Sequence, residues 1–126
     1  MDTHHDIPTE TGCPLTEAQE GLWYVQALDP GNPILNTGQY LELTGPLDRD
    51  ALAQAVQRTI AETPALALRF AAGPQGPRQW VGLPPMLGFA DLSAQPDAEA
   101  QALAQMRADS RRPLDLGRAP AGALTL

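Results

Sequence analysis

A chain of 126 residues is one domain's worth, long enough to bury a core without metal or disulfide staples. Eight arginines and no lysine, set against fifteen acidic residues, leave a net charge of −7, which argues against nucleic acid or an anionic membrane surface as partner. A single cysteine excludes an internal disulfide framework and suits a reducing, cytoplasmic setting, and the sequence shows no signal-peptide pattern and no apolar run of transmembrane length.

In chain order, residues 1–13 are polar, aperiodic and broken by Pro8 and Gly12, and are expected to be a flexible leader ahead of one domain over 14–126. Thr16 followed by Gln19 has capping-box spacing, so a helix should start there. Ala18, Leu22 and Val25 mark one helical face, Trp23 and Ala27 widen it, and Asp29-Pro30-Gly31 ends it. On pattern alone this is an amphipathic packing helix.

Gln39 to Leu43 reads as a strand after a turn cluster. Asp48 is placed as N-cap of a second helix, where Leu52, Val56 and Ile60 recur at four-residue steps and Pro64 forbids continuation. Leu66, Leu68 and Phe70 then alternate with Ala65, Ala67, Arg69 and Ala71, which predicts a strand with Arg69 on the face opposite the large apolar residues. A loop from Gly73 to Pro77 and a strand over Arg78–Leu83 complete an antiparallel hairpin.

Leu87 to Leu92 is a short extended segment, and Asp97 to Ser110 a helix with Ala100, Leu103, Ala104 and Met106 as its packed residues. Ala121 to Leu126 begins an apolar run without a turn, cap or partner strand after it, and the expectation is of a cut ending. Two strand-to-strand crossovers through helices imply an α+β fold, a mixed sheet with helices packed on one face.

The segment Leu15-Thr16-Glu17-Ala18-Gln19-Glu20-Gly21-Leu22-Trp23 resembles the first core motif of nonribosomal peptide synthetase condensation domains. Glu62-Thr63-Pro64-Ala65-Leu66-Ala67-Leu68-Arg69-Phe70 resembles the second, with Thr63-Pro64 in place of the common His-Glu and Ala67 where arginine is common. Leu43 to Asp48, Asp91-Leu92-Ser93 and Arg112-Pro113-Leu114-Asp115-Leu116 are weaker similarities that keep the family's order. The resemblance covers residues 14–126 and implies part of the N-terminal lobe of a chloramphenicol-acetyltransferase-like domain.

That resemblance implies an acyltransferase whose parent domain joins a carrier-bound acyl or peptidyl thioester to an aminoacyl acceptor as an amide. Its partners are the remainder of the condensation domain and donor and acceptor carrier proteins, which carry the phosphopantetheine; no cofactor is bound by this chain. An ammonium must lose a proton to become a nucleophile, so a histidine titrating near neutrality suits the work. The family supplies it from a His-His-x-x-x-Asp-Gly motif expected beyond Leu126, and this chain alone is expected to be inactive. His4-His5-Asp6-Ile7-Pro8-Thr9-Glu10 has Thr9-Glu10 where Asp-Gly is required and precedes the first motif, so it is not that motif.

No catalytic, cofactor-binding or metal residue is therefore assigned. Leu15, Thr16, Ala18, Gln19, Gly21, Leu22, Trp23, Leu66, Arg69 and Phe70 are the family-signature residues, expected to be structural. A metal site from His4, His5, Asp6 and Cys13 lacks a recognised spacing and yields to a solvated tail. Cys13 precedes a helix start but has no histidine base beyond that pair, and reads as an incidental thiol. Trp23 and Trp80 read as packing residues. The other readings are an epimerisation or heterocyclisation domain, or a non-enzymatic α+β binding module gripping a cationic partner with its acidic first half, residues 1–63, whose charge is −8 against +1 for residues 64–126.

Overall fold

A computed structural model describes residues 12–126. His4, His5 and Asp6, and residues 1–11 of the expected leader, lie outside the described residues.

Helix α1 (Glu17–Leu28) starts as its residues dictate: Thr16 Oγ1 accepts from the Gln19 N–H at 3.3 Å and Gln19 Oε1 from the Thr16 N–H at 2.8 Å. Two orphan donors are satisfied by one pair of side chains. After α1, Gln26 Nε2 donates to the Asn32 carbonyl at 3.0 Å and folds the Asp29–Asn32 turn back on the helix. A 3₁₀ turn over Pro33–Leu35 follows, capped by the Asn32 side chain.

Helix α2 (Arg49–Glu62) is capped by Asp48, whose Oδ1 accepts from the Ala51 N–H at 2.9 Å. Pro64 ends it and opens a second 3₁₀ turn, Pro64–Ala67. The expected hairpin forms: strands β2 (Leu68–Ala71) and β3 (Arg78–Val81) run antiparallel, Leu68 opposite Val81 and Ala71 opposite Arg78. Its loop closes by reciprocal backbone bonds between Gly73 and Gly76, and Gly76 adopts a φ of 102° that a side chain would strain. Strand β1 (Cys13–Pro14) takes the other edge of β3, and the sheet order is β1-β3-β2.

Strand β4 (Leu87–Gly88), helix α3 (Ala98–Ser110) and strand β5 (Leu124–Thr125) form a parallel β–α–β unit. The described architecture is the expected α+β, its strands divided between a three-stranded antiparallel and a two-stranded parallel sheet. Asn36 Nδ2 donates to the carbonyls of Ser110 and Arg112 at 3.1 and 2.8 Å, docking the loop after α1 onto the carbonyl end of α3.

Several local expectations change. Gln39–Leu43 pairs with no described strand. The second-motif strand begins at Leu68 because the 3₁₀ turn takes Pro64–Ala67. Arg69, expected on the face opposite Leu66, Leu68 and Phe70, lies on the more deeply buried side, 7% exposed, while those three are only half-buried. The cause is the backbone carbonyls that surround its guanidinium. Ala100, Ala104 and Met106 of α3 are exposed and Leu103 is half-buried, and α1 has no buried residue. The terminal run does find a partner strand, since β5 pairs with β4 and the Ala90 N–H reaches the Leu126 carbonyl at 2.8 Å.

The buried apolar residues are few. Ile60 and Ala67 are each 4% exposed, and Pro77 and Pro85 are also buried. The chain exposes 9865 Å², against roughly 6500 Å² for a compact monomer of its mass.

Candidate functional site

Each sequence motif becomes a joint between elements. Gln19 on α1 faces Gln79 on β3, and the two amides bond reciprocally, Gln19 Nε2 to Gln79 Oε1 at 2.9 Å and Gln79 Nε2 to Gln19 Oε1 at 3.0 Å. Gln79 Nε2 also reaches the Pro14 carbonyl at 3.1 Å, so one pair ties the helix start to both β1 and β3. Of the other first-motif residues, Leu15 and Trp23 are half-buried, as is Trp80 on β3, while Thr16, Ala18, Gly21 and Leu22 are exposed. A Cβ built on Gly21 would meet nothing within 4 Å, so packing among the described residues does not require glycine there.

In the second motif Arg69 donates to three carbonyls: Nη1 to Ala67 at 3.0 Å and Leu68 at 3.3 Å, and Nη2 to Leu83 at 2.7 Å. It thereby clamps the exit of the 3₁₀ turn to the segment leaving β3. Gly82 makes room for it, because a Cβ there would lie 3.0 Å from Arg69 Cγ and 3.2 Å from Cζ. Leu66 is half-buried, and the Phe70 N–H donates to the Leu116 carbonyl at 2.8 Å. Asp115 Oδ1 accepts from the N–H groups of Gly117 and Arg118 at 3.2 and 3.3 Å, a local turn that presents Leu116 to the free edge of β2.

Asp91 and Ser93 form a third joint. Asp91 Oδ1 accepts from the Ser93 hydroxyl at 2.6 Å and its N–H at 3.0 Å, and Oδ2 lies 3.5 Å from Arg49 Nη1. The Arg49 guanidinium also sits 4.6 Å above the centre of the Phe89 ring. The Ser93 hydroxyl first, then its N–H, with a smaller contribution from Arg49, hold the Asp91 carboxyl below its ordinary value.

The structure thus brings Gln19, Arg69 and Phe70 into joints between elements, with Thr16 capping α1, and among the described residues it brings no nucleophile and base together. Cys13 is exposed at the sheet edge. Among the described residues no three His, Cys, Asp or Glu side chains gather as a metal site requires, and no described helix is long and apolar enough to cross a membrane. Gln57, Ile60 and Ala61 of α2 face Pro84 to Leu87 across an open, mainly apolar groove of about 210 Å³.

Sequence reading alone missed Gln79, Gly82, Asn36 and Arg49. A polar residue inside a short strand was the one local signal for Gln79. Asn36 had none, because its partners lie 74 and 76 residues away.

The family model for the condensation domain matches residues 9–126. The chain is 43% identical over 108 residues to a dimodular nonribosomal peptide synthase of Bacillus subtilis (strain 168), covering 84% of this chain and 4% of that protein. It is 41% identical over 129 residues to an isonitrile lipopeptide synthase of Streptomyces coeruleorubidus, covering 95% of this chain and 9% of that protein. Among solved structures, a double mutant of the starter condensation domain of rhizomide synthetase, bound to C8-CoA, superposes with a TM-score of 0.84 at 34% identity, over 92% of this chain and 27% of that one. The first condensation domain of the calcium-dependent antibiotic synthetase gives a TM-score of 0.74 at 36% identity, over 89% and 29%. The chain spans less than a tenth of the first two relatives and under a third of the solved domains.

Proposed function

The chain belongs to the condensation-domain family of nonribosomal peptide synthetases, and from that premise we propose that its parent domain forms the amide bond between a carrier-bound acyl or peptidyl thioester and a carrier-bound aminoacyl group. Residues 14–126 supply the frame of the N-terminal part of that domain. The observation that carries this reading is the conversion of ordered signature residues into joints: Gln19 to Gln79, Arg69 to the Leu83 carbonyl, and Phe70 to Leu116. These contacts fix geometry and transfer no proton.

The reacting groups come from elsewhere in the domain. The described residues hold no histidine, and the leader's His4-His5 pair lacks the Asp-Gly that the family motif requires. The groove between α2 and Pro84–Leu87 offers the phosphate of a phosphopantetheine arm no cationic side chain. Donor and acceptor carrier proteins bring that arm, and the remainder of the domain is the chain's first partner. Operation in the cytoplasm accords with the single cysteine.

The test is direct. Given acyl-loaded donor and aminoacyl-loaded acceptor carriers, the parent protein is expected to yield amide product by mass spectrometry, and this chain alone none above the uncatalysed background. Product from the chain alone would overturn the framing role, and no product from the parent would overturn the reaction.

A second reading changes the donor alone. The likeness to a starter condensation domain solved with C8-CoA favours an acyl-CoA in place of an acyl carrier. Supplying C8-CoA or C8-loaded carrier in the same assay separates the two.

A further inference from the structure

We propose that strand β1 and the Gln79 side chain form a latch that couples the seating of residues 12–14 on the sheet to the start of helix α1. Lifting the strand off β3 loosens the cap of α1, and by reciprocity a stronger cap seats the strand. The inference goes beyond the proposed reaction and does not depend on it.

The strand is held weakly by its own backbone. Pro14 has no N–H, so Cys13 is the one backbone donor of Cys13–Pro14. Both residues are exposed at the sheet edge, and short exposed pairings of this kind open locally before the rest of a fold. A side chain supplies what the backbone lacks, because the Pro14 carbonyl accepts from Gln79 Nε2 at 3.1 Å. The approach to the strand is tight. A Cβ on Gly12 would lie 2.8 Å from the Gln79 carbonyl oxygen and 3.2 Å from Arg78 Cβ. The nearer atom is backbone of β3 and cannot swing aside, so any side chain at position 12 pushes the strand outward.

Gln79 Nε2 serves the helix as well. Of its N–H groups, one goes to the Pro14 carbonyl and the other to Gln19 Oε1 at 3.0 Å. That same oxygen accepts the Thr16 N–H at 2.8 Å and closes the cap. An amide held between two acceptors is oriented by both, so release of the Pro14 carbonyl frees Gln79 to turn away from Gln19. Gln19 then loses the partner that holds its side chain over the helix start. A partner that draws Cys13–Pro14 off the sheet therefore weakens the first turn of α1.

Residue-resolved amide exchange by NMR on the whole chain tests the latch. Two variants release the strand by different means: Gly12→Ala through the contact with the Gln79 carbonyl, and Cys13→Pro through loss of the strand's donor. In each, the Thr16 and Gln19 amides, which are bonded to the cap side chains, are expected to exchange about fivefold faster than in the parent, while the Val56 amide inside α2 keeps its rate. In a Gln79→Leu background the relay is gone, and Gly12→Ala should change the two cap rates less than about twofold. That comparison separates the relay from an effect passed along residues 12–16, which are identical in the two backgrounds. The proposal is overturned if Thr16 and Gln19 keep their rates in a release variant that folds, or if Gly12→Ala speeds them equally with and without the Gln79 amide. Loss of Val56 protection in both release variants would make β1 a requirement for folding and overturn the latch too. No substrate enters these measurements, so a latch that responds in a protein forming no amide bond sustains this inference while failing the catalytic one.

Discussion

Gln19 serves two elements with one side chain. Its Oε1 closes the cap of α1 and, with Nε2, it pairs with Gln79 on β3. A leucine at this position keeps the volume and removes both functions. Gln19→Leu is expected to cost about 2 kcal/mol, roughly half from the cap and half from the amide pair, and Gln79→Leu, which spares the cap but loses its bonds to both Gln19 and the Pro14 carbonyl, about as much. Urea midpoints of the two variants check this, and a Gln19→Leu loss well below that of Gln79→Leu would show that the cap contributes little. Arg69 is the contrasting case, because its surroundings are backbone. Three carbonyls receive the guanidinium and Gly82 leaves the space.

At the scale of elements, α2 is positioned partly by charge. Arg49 occupies its first turn, where the helix dipole disfavours a cation, and the Asp91 carboxylate and Phe89 ring compensate. Asp91 is depressed below its ordinary value of 3.8, so its contribution is present above that value and is lost as pH falls through the lower folded-state value. The difference in urea midpoint between the parent chain and Asp91→Asn is therefore expected to be constant from neutrality to about pH 5 and to shrink as pH falls through 3.8 and below. Both partners of the ion pair are more than half exposed, so the effect is small. A difference that persists unchanged at the acid end would assign it to the amide substitution and not to the charge.

The same scale shows what could be read from sequence. The cap of α1, the length of α2 and the β2–β3 hairpin rest on residues a few positions apart, and each was legible. The burial of Arg69 was not, because period-two alternation places it opposite the leucines while the Leu83 carbonyl, fourteen residues on, draws it in. Gln39–Leu43 has strand chemistry and no described partner, since pairing is a property of two segments and a sequence pattern describes one. For the candidate site, the signature residues were legible as a set, but their roles as joints depended on Gln79 and Leu116, which are distant in the chain.

For the whole molecule, the exposed area sets an expectation about unfolding. An extended chain of 13.4 kDa presents roughly 19,400 Å², so folding to 9865 Å² buries about half of it, where a compact domain of this mass buries about two thirds. The urea m-value scales with the area newly exposed on unfolding. This chain is therefore expected to unfold with an m-value about three quarters of that of a compact 126-residue domain. Part of the shortfall has a structural address in Leu28, Leu41 and Met86, which are exposed while the buried core is Ile60 and Ala67. Equilibrium urea unfolding followed by circular dichroism measures the slope. A full-sized m-value would mean that the chain closes these faces on itself or on a second copy in solution.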